Sequence, residues 1–485
     1  MYILILETGL GREIVDTQIH EGQEQEFITR LRDETKLLKS LFDHRSFCYT
    51  EEPCVGLELE AWLTNKNFLP LPKNQEFLNN LNLKEAVPEL SKFNFELNGS
   101  PVKLGKKTFS KVNNELTQLW DFSQKTAQTM GANAVLIGIL PLVREDMLKL
   151  EYMSNYKRYK ALNDQLFKMR KGKDLEFNFK GVEELQFSQS NFMLEAAATS
   201  LQIHLQVNQE NAKDFYNAAL IGSAPLLAMS ANSPFLYGKN LWAETRIPIF
   251  EQSLNMESFK DIHNKNVGRV SMGTGYMHHS FLEPFLENLD GFPAIMPFLF
   301  DEPRESLAHL NLQNGTVWRW VRPIIGSDAH NKYHLRIEQR ILPAGPTLRD
   351  VIANMMFFVG LTYHLAKIKN LTDSFPFTHC ESNFYDCAQF GLETNILWHK
   401  KKVNVQELLL HLLPKVKEEL YLLGIDKTDV ELYIDETIKP RILTGQTGAH
   451  WQRAFVDCHG KDFQKLTETY FKNQESGQAV HSWSI

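Results

Sequence analysis

The sequence predicts an α+β fold in which an antiparallel sheet presents one polar face and is covered by helices on the other. Three observations lead there. Several short segments alternate apolar and polar residues at period two, as strands with unlike faces do. These segments arrive in clusters between long stretches of helical spacing. The polar face of the strands carries Glu, Gln, His and Arg, where solvated sheet faces usually scatter Lys, Thr and Ser.

Along the chain, residues 22–43 set Phe27, Leu31, Leu37, Leu38 and Leu41 at helical spacing among charges, predicting an amphipathic helix that leads into the first strand. From Cys54, the apolar Val55, Leu57, Leu59 and Ala61 alternate with Gly56, Glu58, Glu60 and Trp62, so two carboxylates share one face of a strand. Residues 93–97 read as a second strand that runs into the turn Asn98-Gly99-Ser100-Pro101. A helix follows from about Ser110, with Val112, Leu116, Leu119, Ser123 and Ala127 on one stripe. Residues 134–140 read as an apolar buried strand and residues 155–168 as a charged helix. From Thr199 the apolar Leu201, Ile203, Leu205 and Val207 alternate with Ser200, Gln202, His204 and Gln206. The helix expected over 211–230 ends at Ala231-Asn232-Ser233-Pro234, since proline pushes the residue before it out of the helical region. A last alternation sets Leu335, Ile337 and Gln339 against His334, Arg336, Glu338 and Arg340 before Pro343-Ala344-Gly345-Pro346 breaks it. Thr347 then caps a long helix to about Ile368. Beyond Thr372 the chain is expected to be mostly helical, with helices near 404–423, 427–438 and 462–471.

Composition narrows the function. At 485 residues, with 43% hydrophobic and 23% charged, the chain has the balance of a folded globular protein. Its 52 Lys+Arg against 59 Asp+Glu leave a net charge of -7, so no global positive field attracts a nucleic acid or an anionic membrane, and small molecules are the expected partners. The apolar run at residues 1–6 is shorter than the roughly 7–15 residues of a signal-peptide core, and no stretch approaches the roughly 20 apolar residues of a membrane span. Cys48, Cys54, Cys380, Cys387 and Cys458 are odd in number and contain no C-x-x-C pair. That signals neither a disulfide framework nor a zinc site and favours a reducing cytoplasm. There is no fixed-period repeat and no G-x-x-x-x-G-K-[ST] loop, and Gly9-Leu10-Gly11 is too slight for a dinucleotide fingerprint.

The polar strand face is the informative part. Glu58 with Glu60, Gln202 with His204 and Glu338 with Arg340 are each two residues apart, which puts each pair on one side of its strand at about 6.5–7 Å. Mg²⁺ is usually held by one or two carboxylates together with substrate phosphates, so carboxylates dispersed over several strands suit it. One Glu-x-Glu alternation is commonly a solvated face, and Arg340 beside Glu338 is on its own an ordinary ion pair. Three strands with the same habit read as a platform for metal ions and nucleotide phosphates.

These residues carry a resemblance. Gly56-Leu57-Glu58-Leu59-Glu60, Phe95-Glu96-Leu97-Asn98-Gly99-Ser100-Pro101 and Thr199-Ser200-Leu201-Gln202-Ile203-His204 look like successive motifs of the glutamate-cysteine ligase type 2 family, in the family's order. Ser230-Ala231-Asn232-Ser233-Pro234-Phe235 with Thr245-Arg246 is similar to its nucleotide and substrate loop, and 314–320 and 334–347 to its late signatures. The resemblance implies a glutamine-synthetase-like fold, ATP with Mg²⁺ ions, and an acyl-phosphate intermediate. By motif position Glu58, Glu60, Glu96 and Glu338 resemble metal ligands, Arg340 resembles the phosphate-binding arginine, and Glu338 and Arg340 resemble the catalytic pair. Asn232, Thr245 and Arg246 join Arg340 as the positions that resemble nucleotide contacts, and Gln202 and His204 those of substrate contacts. The family also implies L-glutamate as the carboxylate, L-cysteine as one candidate amine, and a place in glutathione biosynthesis; the acceptor amine stays open. The expected organisation is an N-terminal helical segment over 1–45, a catalytic domain over 46–375 and a helical region over 376–485 packed on it.

Such chemistry needs no nucleophilic Ser or Cys. A carboxylate is a poor electrophile with a poor leaving group, and transfer of the ATP γ-phosphoryl group removes both obstacles by positioning and charge neutralisation. The residue that takes the amine's proton is not singled out by the sequence. Two other readings compete. A guanidino-kinase-like phosphotransferase would line its phosphates with several arginines and present a reactive cysteine; Arg319, Arg322, Arg336 and Arg340 cluster, but no cysteine lies near them in sequence. A non-catalytic metabolite-binding homologue would have no chemical reason to keep Glu58, Glu60, Glu96 and Glu338 together.

Overall fold

The structure is a computed structural model that describes residues 13–14, 18–256, 266–328, 330 and 332–485. The sequence features at 1–6 and 9–11 lie outside the described residues. An eight-stranded sheet organises the chain, built from β1 (Cys54–Asn65), β2 (Ala86–Pro88), β3 (Asn94–Asn98), β4 (Val102–Lys103), β5 (Ala132–Val135), β6 (Ser200–Val207), β7 (Val321–Ser327) and β8 (Tyr333–Pro343). Its order is β7-β8-β6-β1-β3-β2, with β4 and β5 pairing the two ends of β1. All of these pairings are antiparallel, and helices cover one face, so the α+β architecture read from the sequence is the one present.

The two faces differ as the alternation requires. Leu57, Leu59, Leu201, Ile203, Leu205, Leu335 and Ile337 are fully buried against helices. The main helices are α1 (Gln23–Asp43), α2 (Thr108–Thr129), α3 (Ala212–Ser230), α4 (Leu348–Ala366), α5 (Phe377–Phe390), α6 (Val405–Leu422) and α7 (Phe463–Glu475), of which α2, α3 and α4 pack on the sheet itself. Nearly every residue of α3 is buried, which marks a helix surrounded by protein. It packs on β8 and on α4, and Gln339, the one polar residue on the apolar phase of β8, donates to Ser223 Oγ on α3 at 3.0 Å. At Gly360 on α4 a Cβ would sit 2.7 Å from Val416 on α6, so glycine sets the close approach of those two helices. On α1 the carboxylate of Glu34 takes His309 Nδ1 at 2.6 Å and Leu310 N at 2.7 Å, pinning the helix to Ala308–Gly315.

Several elements depart from the sequence reading. The apolar run at 134–140 leaves the sheet after Val135. Leu136 then receives its partners from α7, where Tyr470 Oη and Gln474 Nε2 donate to its carbonyl at 2.9 and 2.8 Å. Burial alone did not make this run a strand, because side chains satisfied its backbone. The helix over 427–438 is present, wound as α over Lys427–Val430 and as π over Glu431–Ile438. The region after Thr372 also contains a hairpin, Asn395–Trp398 with Lys401–Asn404, and a second hairpin pairs Leu175–Lys180 with Glu184–Gln189. Thr347 caps α4 as expected, accepting from Asp350 N at 3.1 Å. Among the described residues no helix is long and apolar enough to cross a membrane.

Residues 439–444 are tied to α4 by a fully buried ion pair. Arg441 donates to Asp350 at 2.6 Å and to Asn354 at 2.6 Å, and both charges are excluded from water. Removing one partner strands the other, so Arg441→Ala should lower the unfolding free energy by roughly 3–5 kcal/mol, whereas Arg441→Met with Asp350→Leu should recover most of that loss. Urea denaturation of the single and double variants checks this; equal stability of Arg441→Ala and the wild type would exclude it.

Candidate active site

Strand register assembles the site. Directly opposed residues of an antiparallel pair project to the same face, and β1 sets Glu58 opposite Gln202, Glu60 opposite Glu96 and Gly56 opposite His204, while β8 sets Glu338 opposite His204 and Arg322 of β7 opposite Glu338. This polar face floors a cleft of about 1310 Å³. Two groups of ligand atoms lie on it, Glu58 with His204 and Glu338, and Glu60 with Glu89 and Glu96, the atoms of each group within 4.8 Å of one another.

Hydrogen bonds join the two groups through Gln202. Its amide nitrogen donates to Glu60 at 3.2 Å and to Glu96 at 3.5 Å, and its amide oxygen accepts from Arg340. Arg340 also donates to Glu338 at 3.1 Å, and Arg322 grips the same carboxylate with two bonds of 2.6 and 2.9 Å. His204 Nε2 lies 2.9 Å from Glu58 and 3.7 Å from Glu338. Glu60 is further held by Ser200, whose amide and hydroxyl donate at 2.7 and 2.9 Å, and Asn98 donates to Glu96 at 3.0 Å.

The cleft is electrically uneven. At Glu338 burial works against the charge, but Arg322, Arg340 and His204 outweigh it and hold the carboxyl well below its usual range. Burial likewise opposes ionisation of Glu58, and His204 overcomes it. At the other group the balance reverses. Burial and the charge of Glu58 push Glu96 well above the carboxylate range, burial and Glu60 do the same to Glu89, and Glu60 itself is raised by burial despite its bonds to Ser200. Glu195, facing the same end of the cleft, is pushed up to about 8 by burial and by Glu60. Crowded carboxylates whose burial and mutual repulsion outweigh the fields of Arg158, Arg246 and Arg340 fit a cation, and the all-oxygen set Glu60, Glu89 and Glu96 suits a hard one such as Mg²⁺. The Glu58, His204 and Glu338 set mixes nitrogen with oxygen, and His204 Nδ1 is buried without a hydrogen-bond partner.

Of the residues singled out from the sequence, Glu58, Glu60, Glu96, Gln202, His204, Glu338 and Arg340 meet at this cleft. Asn232, Thr245 and Arg246 do not line it. Asn232 donates to Ala344 O at 2.8 Å and to Tyr470 at 2.9 Å, Thr245 to Trp242 O at 3.1 Å, and Arg246 to Glu244 and Ile341 O at 3.1 Å each. The three form a buried brace behind the end of β8, and only the field of Arg246 reaches the site, where it opposes without cancelling the upward shift of Glu60 and Glu195. Arg319, read with the arginine cluster, points elsewhere, to Glu287 at 2.8 Å and Asn288 at 2.7 Å. The sequence reading missed Glu89, Glu195 and the bond from Arg322 to Glu338. Each is a lone charge in an apolar run, as in Ala86-Val87-Pro88-Glu89-Leu90 or Met193-Leu194-Glu195-Ala196-Ala197, and that was the available signal.

Comparison with known proteins bears on this geometry. A sequence profile of glutamate-cysteine ligase family 2 matches residues 54–474, which is most of the chain. The chain belongs to that family. Among solved structures, a glutamate-cysteine ligase from Francisella tularensis in complex with AMP is 12% identical, with a TM-score of 0.56 over 90% of this chain and 91% of that one. A bifunctional glutathione synthetase from Pasteurella multocida is 11% identical, with a TM-score of 0.49 over 92% of this chain and 55% of that one. At such identities the likeness to the first is one of fold. A search of curated protein sequences found no match. All the cleft residues named above fall within the family's matched span.

The raised carboxyl of Glu195 has a consequence for stability. A folded-state value of about 8 lies above that of an unfolded glutamate, so its contribution is full below the unfolded value and is lost as pH rises through about 8. The melting temperature of the metal-free protein should therefore fall between pH 5 and pH 9 more steeply in the wild type than in Glu195→Gln. Parallel melting profiles for the two proteins would contradict it.

Proposed function

We propose that this member of glutamate-cysteine ligase family 2 is an ATP- and Mg²⁺-dependent carboxylate-amine ligase. It joins the γ-carboxylate of glutamate to an amine, cysteine being the favoured acceptor, through an acyl phosphate with release of ADP and phosphate. The observation that carries the reading is the single cleft whose floor holds carboxylates at one end and arginines at the other, linked by Gln202.

In this reading Glu60, Glu89 and Glu96 form the first cation site and Glu58, His204 and Glu338 the second. Mg²⁺ bound there supplies neutralising charge for phosphate oxygens. Arg340, held by Glu338 and Gln202, is aimed by these two bonds and offers its remaining donors to the phosphoryl group in transfer. Arg322 keeps Glu338 ionised and in place. Gln202 couples the arginine to Glu60, so the phosphate-binding group and the cation site are set by one side chain. Glu195, which lines the cleft and whose carboxyl burial and Glu60 raise, is the group assigned to exchange a proton with the attacking amine. Among the described residues no cysteine lines the cleft, which counts against the phosphotransferase reading. All five cysteines are free thiols.

The decisive experiment follows oxygen. Glutamate labelled with heavy oxygen in its γ-carboxylate should yield labelled inorganic phosphate, one atom per amide formed. Label in AMP, or unlabelled phosphate beside a formed amide, would show the mechanism to be wrong. Turnover in Glu58→Gln, Glu60→Gln and Glu338→Gln should fall roughly 100-fold or more with the fold intact; near-wild-type rates in any two would remove the site assignment. At Arg340, lysine should not restore what alanine removes, because a point charge does not reproduce a planar fork of donors. Comparable steady-state rates for Arg340→Lys and the wild type would refute that role.

A further inference from the structure

Along β8 the side chains of Arg336, Glu338 and Arg340 all reach the cleft, but they are not equivalent. Glu338 is held by two arginines, and Arg340 by Glu338 and Gln202. Arg336 stands between Ile324 of β7 and Gln206 of β6. Gln206 is already engaged, its amide oxygen taking Cys54 N at 3.0 Å. Among the described residues the Arg336 side chain makes no hydrogen bond and no ion pair, and its Nε is buried without a partner. Glu58 and Glu338 act on it only through space.

A guanidinium has five donors, and burying any of them unmet lowers stability. The group that meets them must be an anion with several oxygens, reached from the cleft. Arg340 lies four residues further along the strand, roughly 13 Å by strand rise, with Glu338 between. A lone substrate carboxylate does not bridge that interval, whereas a chain of phosphates leading to a nucleoside does. Ile324, opposite Arg336 on β7, lines the cleft together with Phe300 and Leu307, apolar surface of the kind a flat base requires, beside the polar Glu302, Glu305 and Ser306.

We propose that Arg336 is a binding residue for the retained α- and β-phosphates of the nucleotide, leaving the transferring phosphoryl group to Arg340. This rests on the ligase reading above. It gives the nucleotide a direction, base toward Phe300 and Leu307, terminal phosphate toward Gln202 and Glu60.

Calorimetric titration of MgADP into the wild type, Arg336→Ala, Arg336→Gln and Arg336→Lys tests it. Alanine and glutamine should weaken MgADP binding roughly ten- to hundredfold, lysine less, and glutamate affinity should stay within about twofold. The melting temperature of the nucleotide-free alanine and glutamine variants should equal or exceed that of the wild type, since an unmet buried Nε–H has been removed. Unchanged MgADP affinity, a loss of glutamate affinity instead, or a marked fall in melting temperature for both variants would each overturn the assignment, the last by showing a structural role. A wild type that binds neither MgADP nor MgATP would bring down the ligase reading itself, an outcome separate from any difference between variants.

Discussion

A slip of β6 by one residue against β1 would turn Gln202 and His204 to the helix side and bring Leu201, Ile203 and Leu205 into the cleft. Every other feature of the site depends on this register. Gln202 bonds to Glu60 because β6 lies beside β1, and it meets Arg340 because β8 lies on the other side of β6. What holds the register is mainly the opposite face, where Leu57, Leu59, Leu201, Ile203, Leu205 and Ile337 are closed off by α3 and its neighbours. The apolar phase of the strands and their polar phase are therefore one specification, and the chemistry takes the side that packing leaves open.

The second consequence is electrostatic. Charges of one sign are usually dispersed on a protein surface, but here carboxylates gather toward Glu89, Glu96 and Glu195, and guanidinium groups gather about Glu338. Placed in a partly enclosed cleft, this separation makes each end costly in the absence of its complement. The protein tolerates strain at the floor of the cleft because the large helix-covered core supplies stability elsewhere.

The strands that bear the site were legible because their alternation is strict. Glu58, Glu60, Gln202, His204, Glu338 and Arg340 were all placed on one face by counting in twos, and they do share one cleft. What lay outside that count was lost. Glu89 follows the three-residue β2, Glu195 sits in the short 3₁₀ turn Met193–Ala197, and Arg322 precedes Pro323 in a strand whose apolar run gave no period. Asn232 and Arg246 show the opposite difficulty. Their place in the motifs of the resemblance marked them from the sequence, but their partners are backbone carbonyls and side chains of distant segments, which no local pattern reveals. Likewise the run from 134 to 140 was apolar enough to be a strand, but Trp62, Thr199 and α7, the last more than 300 residues away, take its backbone groups instead.

That dependence on α7 bears on how the molecule is made on the ribosome. Gln474 meets both the amide and the carbonyl of Leu136, at 3.1 and 2.8 Å, and also reaches the carbonyl of Pro346, just past β8. On a nascent chain Ile137 and Gly138 find their partners in Trp62 and Thr199 early, whereas Leu136 keeps its amide and carbonyl unmet until α7 has emerged. Because non-local pairings delay folding, the junction of Leu136 with Pro346 is among the last contacts the chain can make. Once α7 docks, Tyr470 and Gln474 close the gap together.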